Sequence, residues 1–251
     1  MRALIAAVLL ALALPAVALA HHERPGEFPE PTVGSVPAYR TAGPALVVCK
    51  LDSRARIAQL TRAARRRSLA LLPQCSYEHV QAAVDAAQPG ARILVLPGVY
   101  REEPSRAAPF RDPRCADLLV PAYAAPAVLV ASYAYQQRCS NDENLIAILG
   151  KRDLQIEGTG DDPSDAVFDG DRRKLNVIRA DRADGVVLRN FTVQYSDFNN
   201  VYVIETNGFR FDRIVSRWSR EYGFLSFVSD HGLYTDLVAY GNGDAGVYPG
   251  A

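Results

Sequence analysis

The sequence predicts an all-β solenoid, a parallel β-helix capped at its N-terminal end by an α-helix. Two interleaved series and one helix carry this expectation. In the first series a polar residue and a glycine open a short alternating strand: Asp184-Gly185-Val186-Val187-Leu188, Asn207-Gly208-Phe209-Arg210-Phe211 and His231-Gly232-Leu233-Tyr234-Thr235, with the glycines 23 and 24 residues apart. In the second, Asn200-Val201-Tyr202-Val203, Gly223-Phe224-Leu225-Ser226 and Gly246-Val247-Tyr248 repeat at steps of 23 and 23. A shared period means equal coils, each with short strands that bury their inward faces only against neighbouring coils.

In chain order, residues 1–20 hold one charge, Arg2, an apolar run from Leu4 to Leu12 and a small-residue exit at Ala18-Leu19-Ala20. That is the order of a secretory signal. No other segment is apolar and long enough to cross a bilayer. Residues 21–48, rich in proline and glycine, read as an extended linker. Residues 49–75 are arginine-rich, with Arg54, Arg56, Arg62, Arg65, Arg66 and Arg67. A solvated helix face explains them better than an anionic partner, because 28 basic residues balance 28 acidic ones. The same balance gives no reason to expect nucleic acid.

The solenoid is expected over 76–251. Ser76 is a candidate N-cap for a helix with Val80, Ala83, Val84 and Ala87 on one face, stopped by Pro89-Gly90. Placed ahead of the first strand, Ile93-Leu94-Val95-Leu96, it would cover the open end of the core. Residues 101–143 break the pattern and read as a disulfide-braced insertion. Coils resume at Leu145-Ile148, Leu154-Ile156, Ala166-Phe168 and Leu175-Ile178. The chain stops at Gly250-Ala251 in mid-coil with nothing to cap the growing end, which predicts a C-terminally truncated chain. The four cysteines, an even set in an exported chain, predict two disulfides. Local pairing, Cys49–Cys75 and Cys115–Cys139, is preferred among three connectivities. No Cys-x-x-Cys spacing supports zinc.

The stretch Val80-Gln81-Ala82-Ala83-Val84-Asp85-Ala86-Ala87-Gln88-Pro89-Gly90-Ala91-Arg92-Ile93-Leu94-Val95-Leu96-Pro97-Gly98-Val99-Tyr100-Arg101-Glu102 resembles the opening helix and first coil of right-handed, single-stranded parallel β-helix proteins. That group has the pectate-lyase-like fold. It includes the periplasmic β-helix factor of nitrous oxide reductase maturation and secreted actinobacterial repeat proteins of unknown activity. Glu221-Tyr222-Gly223-Phe224 and Gly243-Asp244-Ala245-Gly246-Val247-Tyr248 look like their repeat phrases. The resemblance covers roughly 76–251 without the insertion. It implies a fold, not a chemistry, because the fold hosts lyases, hydrolases, epimerases, adhesins and passive scaffolds.

Stacking turns a 23-residue step into a spatial neighbour. Asp197, Glu221 and Asp244 are therefore expected to line one turn of three coils, beside Arg220. Carboxylates stacked about 5 Å apart need a cation or an arginine between them. Calcium, which pectate-lyase-like enzymes use to hold an acidic sugar, is the candidate metal. Outward Tyr202 and Tyr248 could stack on sugar rings. Asp, Asn and Gly at coil turns equally serve local hydrogen bonding. A second cluster, Asp212 and Asp236 in register with Arg189 and near Asp230-His231, offers acid/base chemistry on a uronic acid. No Asp-Pro-His-Asp, Asn-Thr-Asp or Gly-His-Gly run accompanies it. His21 at the expected mature N-terminus is a candidate copper(II) ligand. The sequon Asn190-Phe191-Thr192 reads as coincidence, with Phe191 facing inward. Together these predict a secreted protein that binds, and as a lyase, epimerase or glycoside hydrolase would process, an extracellular acidic polysaccharide. The alternatives are a non-catalytic cell-envelope scaffold or accessory protein and, second, periplasmic copper handling.

Overall fold

Short alternating segments become strands wherever one face can be buried, and seventeen strands form in the computed structural model, which describes residues 33–101, 111–122 and 125–250. The expected signal segment and His21 lie outside the described residues. Before the insertion come β1 (Ala45–Val48), β2 (Cys75–Tyr77), β3 (Arg92–Val95) and β4 (Gly98–Tyr100). The insertion holds β5 (Leu119–Pro121) and β6 (Leu129–Ala131). Then follow β7 (Asn144–Leu149), β8 (Gln155–Gly158), β9 (Ala166–Asp169), β10 (Asn176–Asp181), β11 (Val186–Gln194) and β12 (Asn199–Ile204). The last are β13 (Asn207–Arg217), β14 (Phe224–Phe227), β15 (Asp230–Thr235), β16 (Val238–Tyr240) and β17 (Val247–Gly250).

The protein is mostly β, with long parallel sheets. A first ladder runs β2-β1-β3-β8-β11-β13-β15, and β4 and β9, with β16, continue it along the C-terminal halves of β11 and β13. A separate five-stranded sheet runs β7-β10-β12-β14-β17. Among the described residues only the β5–β6 hairpin pairs antiparallel.

Registers place Asn176 against Asn199, Val201 against Phe224 and Phe224 against Val247, a constant step of 23. Val186, Phe209 and Gly232 share a rung in the first ladder at the same step. Gly232 therefore does not belong with Gly185 and Gly208. The corner they occupy, at φ +77° and +83°, is filled in the next repeat by His231 at φ +53°. The apparent step of 24 came from aligning the wrong glycine. Gly232 lacks a Cβ for another reason: a Cβ there would overlap the Phe209 ring.

Three further corners repeat at 23 in the left-handed region: Arg182, Glu205 and Val228; Asn190, Arg213 and Asp236; Tyr195, Trp218 and Gly241. Such φ values are uncommon outside glycine. They persist here because each sharp corner must deliver the chain to the next strand in register. In the last series Tyr195 stacks on Trp218 at 4.9 Å, and the absent Gly241 side chain leaves room for the indole.

Inward residues of the strands form one continuous core, in which Val186, Leu188, Phe191 and Val193 of β11 meet Phe209, Phe211 and Ile214 of β13 and Val201, Val203 and Phe224 opposite. Each such side chain contributes about 1.5–3 kcal/mol by leaving water. Val80, Ala83, Val84 and Ala87 join that cluster, so the helix Val80–Ala86 packs its apolar face on the core as its periodicity predicts. Its start differs. His79 holds the N-cap position and Ser76 lies in β2, because Cys75 pairs in parallel with Val47 and is bridged to Cys49. The second bridge joins Cys115 to Cys139, so both local pairings are present.

The described end of the expected linker is not a linker. β1 pairs with β3 from Ala45↔Arg92 to Val48↔Val95. Ahead of it, the segment crosses the outer face of the first ladder as a strap. Asn207 Nδ2 donates to the Val33 carbonyl at 3.2 Å, Tyr39 Oη to Glu157 Oε1 at 2.7 Å, and Arg40 Nη2 to the Asp153 carbonyl at 2.6 Å. Prolines suit this extended path, since it asks for few donors. The arginine-rich segment forms the helices Ser53–Ile57 and Arg62–Leu71, with Ile57, Leu60 and Ala64 packed on Val47 and Leu96 and the arginines exposed. No helix among the described residues is long and apolar enough to cross a membrane. Asn190 of the sequon is buried, its Nδ2 donating to the Gly158 and Gly160 carbonyls at 2.8 and 3.0 Å.

Candidate functional site

Alternation along β10 and β12 sends Ile178, Ala180, Val201 and Val203 inward, so Arg179, Asp181, Tyr202 and Ile204 project from the outer face. On an open sheet these would be solvated. Here the insertion stands over them. Its helix Tyr133–Glu143 starts at the Ser132 cap, which accepts from the Tyr135 amide at 3.1 Å, and breaks at Cys139, held to Cys115. Lys174 ties the helix end to the approach to β10, its Nζ donating to the Asn141 and Asp142 carbonyls at 2.6 and 3.1 Å. Burial pushes that ammonium down to about 8.

Between insertion and sheet lies a cavity of about 170 Å³, lined by Arg111, Glu143, Asn176, Arg179, Asn199 and Tyr202 among others. At ~30 Å³ per water, it holds about five or six waters or one small ring. Arg179 donates from Nε and Nη2 to Asp181 Oδ2 at 3.2 and 2.8 Å, and its guanidinium lies 5.0 Å over the Tyr202 ring. Arg111 Nε stands 3.5 Å from Glu143 Oε1, and Gln136 Nε2 donates to Glu143 Oε2 at 3.0 Å. Burial raises the Glu143 carboxyl above the usual carboxylate range, against the opposing pull of Arg179.

A chain of buried amides runs along the cavity floor. Asn144 Nδ2 donates to Gln136 Oε1 at 2.7 Å, Asn176 Nδ2 to Asn144 Oδ1 at 2.9 Å, and Asn199 Nδ2 to Asn176 Oδ1 at 3.2 Å. Tyr222 stands one step further on and ends the run. Asn199 is fully buried and its Oδ1 has no hydrogen-bond partner. An unmet buried acceptor costs about 1–3 kcal/mol. The cavity thus offers two guanidinium groups and one acid held toward its neutral form.

The site residues expected from sequence fall elsewhere or change role. Tyr202 faces outward but is only 1% exposed, packed under Arg179 and against Phe227 at 6.3 Å, so it presents no open ring face. Tyr248 stacks on Tyr222 at 5.2 Å. Asp197 pairs with Arg220 at 2.7 Å, whereas the Glu221 and Asp244 amides follow Phe198 on the neighbouring rung. Asp244 accepts from the buried Tyr222 hydroxyl. Among the described residues no three His, Cys, Asp or Glu side chains are placed to hold a metal, so the calcium ladder of Asp197, Glu221 and Asp244 does not assemble.

Asp212 pairs with Arg189 at 2.7 Å as the spacing suggests, but its rung partner on β15 is Thr235. Asp236 sits on the corner after it. Asp230 and His231 open β15 at the other end, roughly 17 Å away at ~3.4 Å per residue. His231 Nδ1 meets Asn207 Oδ1 at 2.9 Å. The expected carboxylate–histidine pair is not brought together.

Arg111, Glu143, Arg179 and Asn199 escaped the sequence reading. Asn176 and Asn199, 23 apart and one position ahead of the recognised series, carried a usable signal. Arg111 and Glu143 carried none, since the insertion has no period. No family model, no curated protein and no solved structure matches the chain. Fold and site together define a parallel-stranded β protein with a polar groove walled by a disulfide-braced insertion.

Proposed function

We propose that this chain is an exported, right-handed parallel β-helix of the pectate-lyase-like group, and that it binds an acidic polysaccharide on its outer face. The groove beneath the insertion takes one uronate unit. The carrying observation is the convergence of Arg111 and Arg179 on one small cavity. Guanidinium groups match a carboxylate in shape and charge, and Val130 and Phe198 give the ring an apolar wall. If the sugar is also processed, Glu143 is the group placed to give up a proton.

Titration calorimetry with oligogalacturonate, alginate and neutral dextran tests this. Acidic chains are expected to bind and dextran not. Arg111→Gln, on a half-exposed side chain, should weaken binding roughly 10- to 100-fold, the loss of one charge-assisted contact of about 1.5–3 kcal/mol. Equal binding by the variant would remove the site from consideration.

Glu143 makes a pH prediction. Because its folded-state pKa is raised, the native chain keeps a proton that the unfolded chain releases. Its stability contribution is full below the ordinary carboxylate range and is lost as pH rises through the raised value. Uronate affinity should fall over the same window, as a second negative charge appears in the cavity. Glu143→Gln should flatten both profiles, measured by denaturant unfolding and by calorimetry. Unchanged slopes would show that this carboxyl does not titrate there.

The scaffold reading rests on a different observation: the outer charges of the first ladder satisfy one another. Glu157, Arg189 and Asp212 alternate along one rung, at 3.3 and 2.7 Å.

A further inference from the structure

A second groove, independent of the uronate cavity, lies on the outer face of the first ladder. It is about 410 Å³ in volume, bounded by the helix Arg62–Leu71, the strap at Tyr39 and the sheet. Four arginines from four elements line it: Arg67 from the helix, Arg92 from β3, Arg189 from β11 and Arg213 from the corner within β13. Glu157 is its one acidic lining residue.

The acids nearby are already engaged. Glu157 accepts from Tyr39 Oη at 2.7 Å, Gln155 Nε2 at 3.0 Å and Arg189 Nη1 at 3.3 Å, with Arg92 Nη2 at 3.8 Å. Asp212 accepts from Arg189 Nε at 2.7 Å. Asp161 accepts from the Thr61 amide and hydroxyl at 2.7 Å each, and only its backbone carbonyl meets Arg213, at 2.8 Å. Arg189 is thereby fixed, with the Tyr39 ring 4.5 Å away.

The other three keep unused donors. Arg92 only approaches Glu157, at 3.8 Å, Arg213 reaches a neutral carbonyl, and Arg67 forms no ion pair among the described residues. Three guanidinium groups with spare N–H donors, arriving from separate elements, surround more space than a single carboxylate would fill. A tetrahedral oxyanion offers three or four acceptor oxygens and one or two negative charges, which suits donors converging from three sides.

We propose that this groove binds a tetrahedral oxyanion, the sulfate or phosphate group of a free ion or of an ester. The strap serves it directly, since Tyr39 closes one wall and orients Arg189 and Glu157.

The test uses the full exported chain, with sodium sulfate and sodium phosphate compared against sodium chloride at equal ionic strength. Calorimetry and thermal melting should show saturable binding of the dianions in the low millimolar range or tighter, and none of chloride. Arg67→Gln removes an exposed charge. Arg213→Asn removes a second while keeping a residue suited to φ +53°, as Asn190 shows at the same corner. Each should weaken the dianion at least tenfold with the ligand-free melting temperature unchanged for Arg67→Gln. Dextran sulfate against dextran then separates the sources: much tighter binding than inorganic sulfate assigns an ester on a polymer, and equal affinity per group assigns the free ion. Equal melting shifts with sulfate and chloride, or full binding by Arg67→Gln, would overturn the proposal.

Discussion

Phe211→Ala is expected to destabilise the protein by about 3–5 kcal/mol, the usual cost of removing a buried aromatic from a packed core. The ring is fully buried and sits among neighbouring strands, 5.1 Å from Phe209, 6.2 Å from Phe224 and 5.6 Å from Tyr234. Its loss opens a hole that neighbouring strands cannot close, because β13 is held in register on both sides by parallel pairing. Denaturant unfolding should show a lower midpoint. Phe211→Leu, which keeps most of the volume, should recover much of the difference. A cost below about 1 kcal/mol would mean that the stacked core is not continuous through this rung.

The second large effect concerns the insertion. Removing the Cys115–Cys139 bridge, with Cys115→Ala and Cys139→Ala together, releases a loop spanning 24 positions and should cost about 3 kcal/mol. The loss should be local. The bridge joins the insertion to itself, whereas the ladders are held by their own hydrogen bonds and core. Arg111 lies four residues before Cys115 and Glu143 four after Cys139, so both walls of the uronate cavity hang on this link. Far-UV circular dichroism should stay close to that of the parent, proteolysis should begin within 111–143, and binding of oligogalacturonate should be lost. Retained binding with a cut insertion would move the sugar site off this groove.

The two disulfide pairings and the helix face at Val80, Ala83, Val84 and Ala87 were legible because they depend on local spacing. So were the strands from Leu145 onward, where alternation needs only the neighbouring strand. Corners were harder to see. His231 and Asp236 occupy left-handed positions that Gly208 and Arg213 hold one repeat earlier, and nothing in their residue type announces it. Misassigning Gly232 set Asp236 beside Asp212, whereas Asp197 was grouped with Glu221 although 24 residues separate them and the second series steps by 23, so each proposed acid cluster carries a one-residue slip of its own. In a strand such a slip reverses the face that a side chain presents.

By itself the sequence determined the period, the parallel stacking that it demands, the inward residues and the helix face packed on the core, because these arise from apolar burial repeated at a fixed interval. Only the tertiary structure decided where the polar chemistry gathers. Arg111 meets Glu143 over Arg179 and Asn199, and Tyr39 meets Glu157, through contacts between segments with no common spacing. Long-range contacts of that kind are set by how an aperiodic insertion and an N-terminal strap settle on finished sheets, and no repeat in the chain encodes them.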